Sequence, residues 1–279
     1  MKSIAVLYHN RCHDGFGGAW AAWKKLGSKA DYIPVNHQEP YPKGLKGKRV
    51  YLIDFCYPRN IIKNLAVIAE HLVVIDHHIS AKAVTETVPD HLYSDKHSGA
   101  VLAWKYFHPQ KPIPKLLLYI EDNDLWNFKL AFSQEIQAAL DNYDYKFNLW
   151  DKLARELESS SSRKKYIQEG ETIVKYQKHL IEEIAKCAEE VKFCGYRTLA
   201  VNSSIRDLRS EIAHHLYIKM PPLAIVWHHN GKRIDVSLRS NGKVDVSKLA
   251  VRFGGGGHRA AAGFAWPLNK PLPWKKIKQ

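Results

Sequence analysis

Three apolar runs in this chain end abruptly in side chains that can bind a metal or move a proton. Leu72-Val73-Val74-Ile75 runs into Asp76-His77-His78. Ser3-Ile4-Ala5-Val6-Leu7-Tyr8 runs into His9, with Asp14 five residues later, and Val50-Tyr51-Leu52-Ile53 runs into Asp54. Imidazole nitrogen and carboxylate oxygen together are the donor mix that suits first-row divalent ions. Each tip alone has a plainer reading, in which Asp76 caps the following helix and the histidines are solvated loop residues. Three such tips in one chain point to a site if their strands lie side by side.

The elements around them make that arrangement natural. Four branched apolar residues in succession suit a strand buried on both faces, as in a parallel sheet. In open α/β sheets the ligand crevice lies at the carboxyl ends of such strands. The loop from His9 leads through Asp14 and Gly15 into a helix beginning near Phe16, whose N-terminus would aim backbone N–H groups at the site. Gly17 and Gly18 are explained equally well by tight packing. A strand at 31–35, a basic turn-rich loop at 41–48 and a helix at 59–70 started by Pro58 complete a strand-helix-strand alternation, the pattern of βαβ units with helices on both faces of a parallel sheet. After the Asp76 triplet, a helix is expected from Ser98 to Trp104. Another is opened by Pro112 and Pro114 and reaches the acidic segment Glu121-Asp122-Asn123-Asp124, which by itself reads as solvated surface.

Residues 130–190 read as helical throughout, with a loop at Ser159-Ser160-Ser161-Ser162 and a long connecting helix at 163–190. Beyond it, strands at 197–202, 223–228 and 234–238 surround a helix near 205–217, which predicts a smaller mixed α/β domain. The expected division is a catalytic domain with its helical connector over 1–185 and a second domain over 191–279. In the latter, Gly254-Gly255-Gly256-Gly257-His258 is either a flexible loop or a nest of N–H groups facing an anion.

Composition sets outer bounds. The chain has 279 residues, 45% of them hydrophobic, enough for two domains with cores of their own. Lys plus Arg minus Asp plus Glu is 42 − 28 = +14, a positive field that attracts nucleic acid or phosphorylated metabolites. The first apolar run is too short for a signal-peptide core or a membrane span. The four cysteines, Cys12, Cys56, Cys187 and Cys194, form no CxxC pair, in keeping with a reducing compartment. A soluble, cytoplasmic protein without a membrane partner is expected.

Taken together, Asp76-His77-His78 after an apolar strand, the Asp54 strand before it, His9 with Asp14-Gly15, and the distal Gly254 to His258 run resemble the DHH phosphoesterase superfamily, in the branch carrying a DHH-associated C-terminal domain. The resemblance extends from His9 to Phe264. It implies one metal on His9 and Asp54 and a second on Asp14, Asp54, His77 and Asp124, with Asp54 bridging. Asp124 matches the family's Asp followed at the third and fourth positions by Asn and Phe; Asp122 is the reserve. Asp76 is then the partner that orients a histidine, and His78 faces the phosphate. Arg239, Ser240, Gly255, Gly256, Gly257 and His258 fit the family's substrate-binding motif.

The activity so implied is metal-dependent hydrolysis, exonuclease-like, of a small nucleotidic substrate: short oligoribonucleotides, pAp, or linear or cyclic nucleotides. Two divalent cations are implied, Mn²⁺ first among them. The partner is a nucleotide or short single-stranded nucleic acid, and a homodimer is compatible with it. The alternatives are a pyrophosphatase or polyphosphatase, disfavoured by the glycine-rich loop, and a non-catalytic nucleotide or RNA binder. The binder reading arises from one departure: most of the family has Asp-x-Asp where this chain has Cys12-His13-Asp14. The first metal has therefore lost a hard carboxylate, and Cys12 as thiolate, His13 or water is left to replace it.

Overall fold

The structure, a computed structural model, describes residues 2–36 and 39–277. The chain divides into two compact units, Met1–Val174 and Lys175–Gln279. The division falls inside a long helix, so the last turns of that helix belong with the second unit, whereas the sequence reading placed the whole connector in the first domain.

In the first unit β1 (Ile4–His9), β2 (Ala30–Val35), β3 (Arg49–Ile53), β4 (His71–Asp76) and β5 (Asp90–Tyr93) form a wholly parallel sheet in the order β2-β1-β3-β4-β5. Alternate side chains serve opposite faces. Ala5, Leu7, Val50, Leu52, Leu72 and Val74 pack towards α2 (Arg59–Ile68). Val6, Tyr8, Tyr51, Ile53, Val73 and Ile75 pack towards α1 (His13–Leu26) and α4 (Gly99–Phe107). Burying one such Val, Leu or Ile fully contributes roughly 1.5–3 kcal/mol relative to exposure, so the central strands, covered on both faces, anchor the unit.

Two features of this sheet place the site. Tyr8 pairs with Ile53 and Ile53 with Ile75, so the next residues, His9, Asp54 and Asp76, stand at one level on three adjacent strands. The chain also leaves β1 for β2 on one side and returns to β3 on the other, so the order reverses between β1 and β3, where open α/β sheets bind ligands. α1 packs close beneath because its small residues permit it: a Cβ on Gly18 would lie 2.3 Å from Cγ2 of Ile53, and one on Gly17 2.9 Å from Cβ of Ala100.

A short helix α3 (Lys82–Thr85) precedes β5, and α5 (Lys115–Asp124), α6 (Ser133–Leu140), α7 (Phe147–Glu158) and α8 (Ser160–Lys186) follow α4. Two expectations need correction here. The serine run is the first turn of α8 rather than a loop: Ser159 alone is extended, and its Oγ accepts a hydrogen bond from the N–H of Ser162 at 3.5 Å, as an N-cap does. α8 also stops at Lys186, because 189–193 alternates, burying Val191 and Phe193 against exposed Glu189 and Lys192, and so forms a strand.

That strand, β6 (Glu189–Phe193), opens the second unit. It is joined by β7 (Tyr196–Asn202), β8 (Leu223–His229), β9 (Ile234–Ser240), β10 (Gly256–Gly257), β11 (Ala261–Trp266) and β12 (Lys275–Lys276) in the order β10-β11-β9-β8-β7-β6-β12. Among the described residues of this sheet only β7 and β8 run parallel, joined through α9 (Arg209–Lys219). Leu223 and Ile225 face α10 (Val246–Val251), while Ala224 and Val226 face α9 and the end of α8. Among the described residues no helix is long and apolar enough to cross a membrane.

Candidate metal centre

Asp54 is the centre of the constellation at the strand tips. Its backbone is left-handed, φ 63°, a conformation that Asp and Asn tolerate better than most residues. Its N–H donates to the carbonyl of Ile75 at 2.9 Å, which ties it to β4. One carboxylate oxygen, Oδ2, lies 3.3 Å from Nδ1 of His9, and the other, Oδ1, lies 3.1 Å from Nε2 of His77. That same Nε2 is 3.5 Å from Oδ2 of Asp14 and 3.7 Å from Oδ2 of Asp124.

Two of the donor groups here are linked through Asp54, which belongs to the first and lies 3.1 Å from His77 of the second. Atoms of His9, Cys12 and Asp54 lie within 4.8 Å of one another, as do those of Asp14, His77 and Asp124. Asp14, Asp54 and His77 are each about 1% exposed, whereas Asp124 closes the second group from its rim. Concentrating three carboxylates and two imidazoles in so little space is costly unless a cation balances them, and the oxygen and nitrogen donor set fits divalent metal ions.

Their electrostatics say the same. Burial, with the charges of Asp54 and Asp124, pushes the Asp14 carboxyl well above the usual range. Burial also pushes Asp54 up, but the hydrogen bonds and charges of His77 and His9 outweigh it and hold that carboxyl well below. Burial disfavours a charged His77, yet Asp54, Asp124 and Asp14 together hold it protonated well above its ordinary range. Burial and the same three carboxylates push the Cys12 thiol up.

Asp14 is positioned by something the sequence reading missed. Its two oxygens accept from the first N–H groups of α4, Gly99 at 2.6 Å and Ala100 at 2.8 Å, which suits an anion at a helix N-terminus. Gly99 allows this approach: a Cβ there would lie 2.7 Å from Cβ of Asp54 and 2.9 Å from Oδ2 of Asp14. Ser98, the N-cap of α4, is itself fixed by its N–H to Glu121 Oε2 at 2.9 Å. The signal was present as Ser98-Gly99-Ala100 ahead of an apolar run, but only the fold shows that it faces Asp14.

The remaining predicted residues divide in two. Asp76, fully buried, accepts at Oδ1 from the N–H of His77 at 2.8 Å and lies 2.7 Å from Nδ1 of His78, so the histidine ring it orients is that of His78. Asp122 is committed elsewhere: its oxygens accept from the N–H groups of Lys129 and Leu130 at 2.9 and 3.0 Å and close the turn after α5. His13 also turns away from the donors, with Nδ1 2.8 Å from Nε2 of Gln137 and its ring stacked on Trp150.

In the second unit, Arg239 on β9 pairs with Ala261 on β11, and its guanidinium donates to Oγ of Ser210 at 3.2 and 2.9 Å. Ser210 lies on α9 and was not anticipated. Ser240 is buried and donates to the carbonyl of Val244 at 2.7 Å, bracing a turn. The glycine run is not an open row of donors. The N–H groups of Gly254, Gly255 and His258 donate to the carbonyls of Val251, Ala250 and Ala261. Gly256 and Gly257 form β10 against β11, and a Cβ on Gly255 would lie 2.0 Å from the carbonyl oxygen of Gly263. Gly255 and Gly257 therefore serve close backbone packing, while Gly254, φ 77°, allows a left-handed turn.

Comparison with known proteins adds to the fold. A family model described as the DHHA1 domain matches residues 205–273, which hold Ser210, Arg239 and the glycine run. The chain is 30% identical, over a 297-residue alignment covering 98% of it and 70% of the relative, to an uncharacterized protein, R106, of Acanthamoeba polyphaga mimivirus. Among solved structures it resembles the DHH domain of a member of the s1p family of ribosomal proteins, with TM-score 0.59 and 14% identity, covering 99% of this chain and 83% of that one. It also resembles RecJ of Thermus thermophilus in complex with Mn²⁺, with TM-score 0.55 and 16% identity, covering 94% of this chain and 49% of that one. With strand tips, DHHA1 match and fold in agreement, the chain belongs to the DHH phosphoesterase superfamily, in the branch that carries a DHHA1 domain.

Proposed function

We propose that this protein is a divalent-metal-dependent phosphoesterase acting on a small nucleotidic substrate. The observation that carries the reading is Asp54, whose two carboxylate oxygens face His9 on one side and His77 on the other at the switch point of the sheet. His9 and Asp54 would hold one cation, and Asp14, Asp54, His77 and Asp124 a second. When bound, such a pair activates water for in-line attack and neutralises charge on the phosphoryl oxygens.

The chain's own residues supply the positioning. Gly99 and Ala100 hold Asp14 in place, and Asp76 fixes the His78 ring through Nδ1, so that His78 faces the substrate's phosphate. In the DHHA1 domain, Arg239 braced by Ser210, with His258, binds the substrate's phosphate and nucleotide. Mn²⁺ suits the carboxylate-rich second position, and the RecJ relative carries Mn²⁺. Four free cysteines fit a cytoplasmic setting.

Short oligoribonucleotides, pAp, and linear and cyclic dinucleotides are the substrates to test, with pyrophosphate and polyphosphate beside them. Incubation with Mn²⁺ and product analysis should show a phosphoester of the nucleotidic set cleaved, and cleavage abolished by chelation. Hydrolysis confined to pyrophosphate or polyphosphate would overturn the substrate class. Nucleotide binding without turnover under any divalent ion would make the protein a binder instead.

A further inference from the structure

We infer that the first cation position is a nitrogen, sulfur and oxygen site in which Cys12, as thiolate, is a ligand beside His9 and Asp54, and that it selects Zn²⁺ over Mn²⁺ and Mg²⁺. The inference rests on the two-cation reading above and names the ion at one of its positions.

Three observations lead there. The sulfur of Cys12 belongs to the same donor group as His9 and Asp54, all within 4.8 Å of one another. His13, the other side chain in the loop that could replace the missing carboxylate, is turned into the helical layer against Gln137 and Trp150. The backbone holds that placement: left-handed Arg11, φ 50°, follows β1, and Cys12 then sits extended at the N-cap of α1.

The chemistry of the two groups therefore differs. The second offers carboxylates from Asp14 and Asp124 with the imidazole of His77, which suits hard ions. The first has a single carboxylate, shared, with one imidazole and one sulfur. Mn²⁺ and Mg²⁺ favour oxygen donors, whereas Zn²⁺ takes Cys, His and Asp together, and its catalytic sites use three protein ligands with one position open. Zn²⁺ also stands above Mn²⁺ in general affinity for such donors, so ligand type and intrinsic order act in the same direction.

Co²⁺ reports on a zinc-type site directly, because a bound thiolate adds a sulfur-to-metal charge-transfer absorption to the ligand-field bands. Metal-free protein titrated with Co²⁺ should develop that absorption as one of its two positions fills, and Cys56→Ser should behave like the parent, since Cys56 lies outside the first group. Cys12→Ser and Cys12→Asp should both lose the absorption while keeping the ligand-field bands of the second position. In competition, Zn²⁺ should displace Mn²⁺ from one position of the parent, and Cys12→Asp should shift that preference towards Mn²⁺ by roughly tenfold to a hundredfold. Co²⁺ bound without charge transfer, or charge transfer that survives both Cys12 substitutions, would overturn the inference and leave the two-cation reading standing. No Co²⁺ bound to the parent would overturn both.

Discussion

The Asp54 carboxylate sits on a left-handed backbone and faces donors on both sides, so its substitution has to respect both facts. Asn tolerates the same backbone but carries no charge. Asp54→Asn should therefore stay folded by circular dichroism while turnover drops by roughly 100-fold or more, the upper range for disturbing a metal's surroundings. Turnover within a few-fold of the parent would remove Asp54 from the site. His77 carries a pH prediction. Its pKa is held well above the ordinary 6.5 by the carboxylates around it, so in the metal-free protein its contribution to stability is complete below about 6.5 and is lost as pH rises through the raised value. Asp54, held low, contributes throughout that window and loses its share only in acid. Tm of the metal-free protein should thus fall as pH rises above neutrality, and the gap to the metal-loaded protein, where a cation replaces the proton's charge, should widen. A gap that stays constant or narrows would contradict this.

At the scale of elements, the N-terminus of α4 positions Asp14, and Gly99 is the residue that lets it approach. Gly99→Ala would press a methyl group against both Asp14 and Asp54. Metal affinity should fall roughly 10- to 100-fold, as when the partners of a metal ligand are disturbed, measurable by calorimetric titration; unchanged affinity would mean that α4 does not set the centre. Gly255→Ala tests the packing role of the glycine run. Its Cβ would meet the β11 backbone, and overpacking of that kind costs about 1–3 kcal/mol, read as a lower denaturation midpoint with metal content unchanged. β1, β3 and β4 and their tips were legible in the sequence because strands buried on both faces read as unbroken apolar runs and end sharply in polar residues; β5 was not, because Asp90-His91-Leu92-Tyr93 is short and at most half buried. β11 was not, because Ala261-Ala262-Gly263 lacks the branched residues that mark strands; its pairing with β9 and β10 makes it one. The serine run misled in the same way, since its residues suit a loop and a helix N-terminus alike. The hold of α4 on Asp14 joins residues far apart in the chain, and no local pattern records it.

For the molecule as a whole, the proposed function divides the labour: metals in the first unit and substrate recognition in the second, whose match to the DHHA1 domain covers 205–273. Ser210→Ala should free the Arg239 guanidinium from its brace and raise KM several-fold, as expected from losing about 1 kcal/mol of hydrogen bonding, with bound metal unchanged; metal loss would show that the division of labour is wrong. The central claim is that two divalent ions sharing Asp54 make this chain a phosphoesterase. One measurement reaches it most directly: ions bound per chain by elemental analysis, with hydrolysis of the nucleotidic panel followed in the same samples, for parent and Asp54→Asn. About two ions per chain in the parent, with turnover that appears and disappears with them and falls by roughly 100-fold or more in Asp54→Asn, is the predicted result. Hydrolysis that persists in metal-stripped protein, or in Asp54→Asn at the parent's rate, would contradict it.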